Sequence, residues 1–211
     1  MLIDVATKLL PDSVDLGLHS YWYLGRAGGF VAFALMFISV IMGVAISSRI
    51  FDGLLARGWF FELHKFVSLF LLGAVIFHAF IMLPDPYANY TVAELLIPLR
   101  SHIMPAATAV GILSFYALAL LSLSFYVTRW IGQRTWRLLH YLTFLAYLGG
   151  TIHAIWAGTD SGILGVRYAF FATGIALVFF VLYRILAVRS QKKPVGRPLP
   201  HETGRQVTGA A

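Results

Sequence analysis

The sequence predicts an all-α membrane protein, a five-helix transmembrane bundle with its N-terminus outside and its C-terminus in the cytoplasm. Three observations lead there. The 211 residues are 59% hydrophobic and only 12% charged, with mean hydropathy +0.80, about half the charge of an ordinary soluble domain. Five apolar runs, roughly 23–46, 63–83, 103–127, 138–157 and 166–187, each approach the ~20 residues needed to cross the hydrocarbon core. Lysine and arginine are also segregated. With alternating sides assigned to the connections, Lys8, Arg26, Arg100 and Arg167 fall on one side, and the other twelve of the 16 basic residues on the opposite side. That bias marks the cytoplasmic face, and only an odd number of spans satisfies it.

Residues 1–22 read as an interfacial segment, because Asp4, Lys8, Asp12 and Asp15 interrupt short apolar groups. No basic stretch precedes an apolar core there, so a signal peptide is not expected. Tyr21, Trp22 and Tyr23 form an aromatic belt at the membrane boundary. Between the second and third runs, Thr91 and Glu94 have the spacing of a capping box. A short surface helix over 91–97, ended by Pro98, is predicted. Residues 23–188 make the transmembrane domain, and 189–211 a basic, Pro- and Gly-containing tail expected to be disordered. The chain has no cysteine, so disulfides, zinc–thiolate sites, iron–sulfur clusters and covalently attached haem are excluded. Net charge +7 would suggest nucleic acid for a soluble protein; here it sets topology in a multi-pass protein of the bacterial inner membrane, and no nucleic acid partner is expected.

Histidine inside a span is costly and marks a functional site or a polar contact within the bundle. His64 and His78 lie 14 residues apart on the second run, and His140 and His153 lie 13 apart on the fourth. Those steps correspond to rises of ~21 and ~20 Å along a helix. Both runs enter from the same side, so His64 is level with His140, and His78 with His153. Two imidazoles at one level can fill both axial positions of a haem. At 100° per residue His64 and His78 are about 40° apart and share a face, whereas His140 and His153 are about 140° apart. Gly149 and Gly150 lie between the latter two and are the expected place for a distortion. Histidines that merely bridge helices by hydrogen bonds are the alternative. His19 and His102 read as interfacial, and His201 lies in the tail. No carboxylate or cysteine joins the four histidines at zinc-ligand spacing. Arg26, a cation against the charge bias, and then Arg100 are the candidate partners for haem propionates at the outer level; Arg57, Arg134 and Arg137 are candidates for the inner one.

Three stretches carry a resemblance: LGRAGG at the first span, ELHKFVSLFLLGAVIFH on the second and RTWRLLHYLTFLAYLGGTIH on the fourth. Over about 23–187 the chain resembles the ferric reductase-like transmembrane family. That family includes the membrane parts of ferric reductases and NADPH oxidases, and the haem-binding subunit of the bacterial periplasmic methionine sulfoxide reductase system. The resemblance implies that His64, His78, His140 and His153 ligate two b-type haems (heme b), which would carry electrons across the membrane. It differs in two respects. The family core usually has six spans, and the present sequence ends in a basic tail with no dinucleotide-binding motif. A separate flavoprotein or a quinol is therefore the expected donor, with an extracytoplasmic acceptor or reductase subunit as the other partner. The sulfoxide reductase subunit typically lacks the first histidine of the pair, so retention of His64 favours the ferric reductase-like pattern. A structural subunit of a larger membrane complex is the reading from another class, and it has no use for four histidines.

Overall fold

The computed structural model describes residues 20–48 and 56–191, and among these every regular element is helical. Residues 1–19, which hold most of the interfacial segment, and the tail from 192 lie outside the described residues. The helices are α1 (Ser20–Ser48), α2 (Arg57–Phe80), α3 (Val92–Leu96), α4 (Pro105–Ser124), α5 (Thr128–Ile131), α6 (Gln133–His140), α7 (Leu142–Ala157) and α8 (Leu164–Gln191). Five stretches are long and apolar enough to span a membrane: α1, α2, α4 continued through α5, α6 with α7, and α8.

Sequence chemistry accounts for the boundaries. Pro105 opens α4 at the first helical position, where its missing N–H removes nothing from the hydrogen-bond ladder; the helix thus starts two residues later than the apolar run. Gly132, with φ of +78°, separates α5 from α6 in a conformation open to glycine alone at little cost. The predicted capping box is present: Glu94 N–H donates to the Thr91 hydroxyl at 3.3 Å, and Thr91 N–H donates to the Glu94 carboxylate at 2.9 Å. The last helix continues to Gln191, past Arg189, where the sequence placed the start of the tail.

Four helices enclose the centre. α1 packs along α2, α2 on α4, α4 along α7 and α7 back on α1, while α8 lies outside against α1. The two histidine-bearing spans, α2 and α6–α7, are consequently diagonal partners. They make at most passing contact, and α1 and α4 hold them apart. Small residues let the backbones approach along the packed seams, among them Ala32, Ala45, Ala107, Ala109 and Ala146, all buried. Outward surfaces carry large apolar side chains such as Phe66, Trp130, Leu138 and Ile175. In lipid that exposure has no hydrophobic penalty.

The helix irregularity expected at Gly149–Gly150 is elsewhere. α7 runs unbroken through both glycines, and the break falls at Tyr141, between α6 and α7. There Tyr141 N–H bonds to the Leu138 carbonyl and Phe144 N–H to the Tyr141 carbonyl, each at 3.2 Å and three residues back. The Thr143 hydroxyl takes the His140 carbonyl at 2.6 Å. A 3₁₀ turn rotates by about 120° per residue instead of 100°, so even one such turn moves His140 and His153 toward a common face. Gly149 and Gly150 serve packing. A Cβ on Gly149 would strike the Ser114 hydroxyl of α4, and one on Gly150 would lie 2.8 Å from the Met36 methyl of α1.

Candidate functional site

The four intramembrane histidines meet in two pairs across the gap between α2 and α6–α7. His78 and His153 have ring centres 6.4 Å apart with planes at 75°; this is the upper level, at the Trp22 end of α1. His64 and His140 have ring centres 6.2 Å apart with planes at 82°; this is the lower level. The depth matching expected from the 14- and 13-residue steps is thus realised.

Each upper imidazole is seated on the backbone of a neighbouring helix. His78 Nδ1 is 2.7 Å from the Gly25 carbonyl of α1, and His153 Nδ1 is 2.8 Å from the Ala107 carbonyl of α4. A carbonyl oxygen can only accept, so both Nδ1 atoms carry the proton and both Nε2 atoms keep a free lone pair. The residue four positions after each carbonyl is a glycine. A Cβ on Gly29 would lie 3.1 Å from the His78 ring, and one on Gly111 would lie 2.6 Å from the His153 ring. The ring occupies the place where a side chain would otherwise stand.

The lower level repeats the device once and loosely. His64 lies over Gly43, whose Cβ would be 3.6 Å from the ring, and Ser39 is four residues before that glycine. Ser39 bonds the Ser68 hydroxyl at 2.8 Å, and Ser68 bonds the His64 carbonyl at the same distance. His140 instead stacks on Trp136, ring centres 4.9 Å apart and planes at 24°. The Nδ1 atoms of His64 and His140 are buried; His64 approaches the Ser39 backbone in looser geometry than the upper bonds, and His140 has no such partner.

A cavity of 330 Å³ opens on the upper pair, within the ~300–1,000 Å³ typical of small-molecule and cofactor pockets. Its walls are mainly apolar, including Phe30, Phe33, Phe80, Ile112 and Phe115. Arg26 and Asp160 are the charged residues lining it. Arg26 Nε donates to Asp160 at 2.9 Å and its terminal nitrogen to the other carboxylate oxygen, while the guanidinium lies 4.2 Å from the Trp22 ring centre. Arg26 thus lines the cavity and is already charge-paired. Arg100 is exposed and does not line it. His102 is half exposed and hydrogen-bonded to Glu94; together with the Thr91 backbone and hydroxyl it pulls the Glu94 carboxyl down from 4.5 to about 2. That pair fixes the short helix α3, whose Leu95 and Leu96 cover one side of the cavity together with Tyr90.

Donor count and spacing say what such pairs can hold. Among the described residues no three His, Asp or Glu converge on one point. Two imidazoles alone suit a metal that brings its equatorial ligands with it, as in a porphyrin. An imidazole nitrogen lies about 1.1 Å from its ring centre and binds a transition metal at about 2 Å, so two imidazoles opposed on one ion have centres about 6 Å apart. Both observed separations agree with that value.

Asp160, Gly43, Gly111, Ser39 and Trp136 were not singled out from the sequence. The small-residue and glycine pairs Gly25/Gly29, Ser39/Gly43 and Ala107/Gly111 were legible as a repeated four-residue step. Gly29 and Gly43 are also 14 residues apart, the same step as His78 and His64. Asp160 carried no local signal. Comparison with protein-family models, with curated proteins and with solved structures gave no match for this chain.

Proposed function

We propose that this protein is a di-haem b electron-transfer subunit of the membrane, with His78 and His153 as ligands of one haem and His64 and His140 as ligands of the other. The observation that carries the reading is the pair of ring separations, 6.4 and 6.2 Å, from four histidines on two spans, α2 and α6–α7, that do not otherwise pack together. A haem iron between two imidazoles has no open position and exchanges single electrons. The protein's own part is to hold the imidazoles at two depths, exclude water with apolar walls, and place the Arg26–Asp160 pair at the upper rim. By the positive-inside rule the upper level is extracytoplasmic. Electrons would then pass between a cytoplasmic flavoprotein or the quinol pool and an extracytoplasmic acceptor, in the manner of the ferric reductase-like domains that the sequence resembles.

The test is a reduced-minus-oxidised spectrum of protein purified from haem-supplemented cells. It is expected to show b-type bands corresponding to two haems per chain, with half lost in His78→Leu or His64→Leu and all lost when both are changed. A folded protein free of haem would overturn the reading.

A further inference from the structure

Resting on that reading, we infer that Gly29 and Gly111 are positioning residues that make the two haem levels chemically unequal. The upper imidazoles are fixed in tautomer and orientation by hydrogen bonds to the Gly25 and Ala107 carbonyls; below, His64 meets the Ser39 backbone only in looser geometry, and His140 has no such partner. The geometry is the same on both sides of the upper level. A carbonyl at one helix position receives Nδ1–H, at 2.7 or 2.8 Å, and a glycine four residues later leaves room for the ring. The space is tight: an added Cβ would sit 3.1 Å from the His78 ring and 2.6 Å from the His153 ring, so the ring itself would have to shift.

At the lower level the corresponding features fade. Gly43 has ordinary van der Waals room, 3.6 Å, beneath His64. Fourteen residues beyond Gly111, just past the end of α4, the position is Phe125, which packs on Trp136 with ring centres 6.4 Å apart. His140 thus has an aromatic stack where His153 has a carbonyl.

A hydrogen bond from the non-ligating nitrogen to a carbonyl raises the basicity of the ligating one. A more basic axial ligand favours ferric over ferrous iron, so these bonds lower the upper haem's midpoint potential relative to what the same ligands give without them. In the lower pair His140 receives no such contribution, and His64 a weaker one from the Ser39 backbone.

The experiment uses the full chain purified with haem. In the oxidised wild-type protein, pulsed electron paramagnetic resonance of the remote imidazole nitrogens is expected to resolve two classes, one strongly and one weakly hydrogen-bonded. G29A and G111A are expected to shift the low-spin signal and raise the midpoint potential of one haem only, with G111A the stronger, up to loss of one haem of two. G73A, on the same helix as His78 but with open space around its Cβ, is the control and should leave both haems unchanged. A single class of remote nitrogen in the wild type would overturn the inference without needing any variant to fold. So would unaltered signals and potentials in folded G29A and G111A. Absence of haem from the wild type would instead defeat the functional reading on which this one rests.

Discussion

The upper and lower histidine pairs have nearly the same ring separation and yet are built differently. Above, two imidazoles sit on helix backbone over Gly29 and Gly111, each with its Nδ1–H satisfied, and face a cavity with an ion pair at its rim. Below, the rings are held by packing: His140 against Trp136, and His64 over Gly43 beside the Ser39–Ser68 hydroxyl pair. Burying a donor without a partner costs about 1–3 kcal/mol. The lower level, where the buried Nδ1 of His140 has no partner and that of His64 only the Ser39 backbone in looser geometry, is therefore the less settled arrangement of the protein alone. Depth is what the two levels share, and seating is what separates them.

Perturbations confined to one level measure that difference. The largest expected effect comes from removing a ligand: His153→Leu should abolish the upper haem and leave the lower spectrum intact, and His140→Leu the reverse, read by haem content per chain. If either variant loses both haems while folded, the levels are one cooperative unit and the comparison fails. Asp160→Asn comes next. It leaves the Arg26 guanidinium without its bidentate carboxylate at a part-buried site, a loss of about 1–3 kcal/mol. Thermal unfolding in detergent should show it, with the upper haem's spectrum disturbed and the lower one's preserved.

Thr91→Ala should cost about 1 kcal/mol by removing the N-cap of α3. Because Leu95 and Leu96 cover the upper cavity, hydrogen exchange is expected to rise over 91–97 and not around the lower pair. The smallest effect is that of acid. Glu94 titrates near 2, against 4.5 for an ordinary glutamate, chiefly because of its bond to His102. A depressed carboxyl contributes stability above its unfolded value and loses it as pH falls through the folded one. The α3 segment should therefore be steady above about pH 4.5 and loosen between there and pH 2, as followed by exchange or by Tyr90 fluorescence. In Glu94→Gln that step should vanish.

Much of this was readable in the sequence, for physical reasons. Lipid makes hydropathy a reliable guide to spans, so all five were found, with ends shifted where Pro105 and Gly132 set local geometry. Rise per residue is nearly constant along a helix, so matched depth of His64 with His140 and of His78 with His153 followed from spacing alone. Rotation did not follow. A short 3₁₀ turn at Tyr141 resets the phase, and neither Gly149 nor Gly150 marked it, since both are used for close packing against α4 and α1. Diagonal placement of α2 and α7 was equally hidden, because it depends on which faces of α1 and α4 meet them. Arg26 announced itself by standing against the charge bias, but its partner Asp160 lies 134 residues away in a short 3₁₀ turn without a motif.

The central claim is that the two pairs are axial ligand sets of equal spacing. Near-infrared magnetic circular dichroism of the oxidised, haem-loaded protein tests it most directly, because the energy of the porphyrin-to-iron charge-transfer band reports both axial ligands of each ferric haem. Two low-spin haems per chain, both with bis-imidazole bands, is the predicted result. A high-spin haem, a ligand other than imidazole, or fewer than two haems in a folded chain would contradict it.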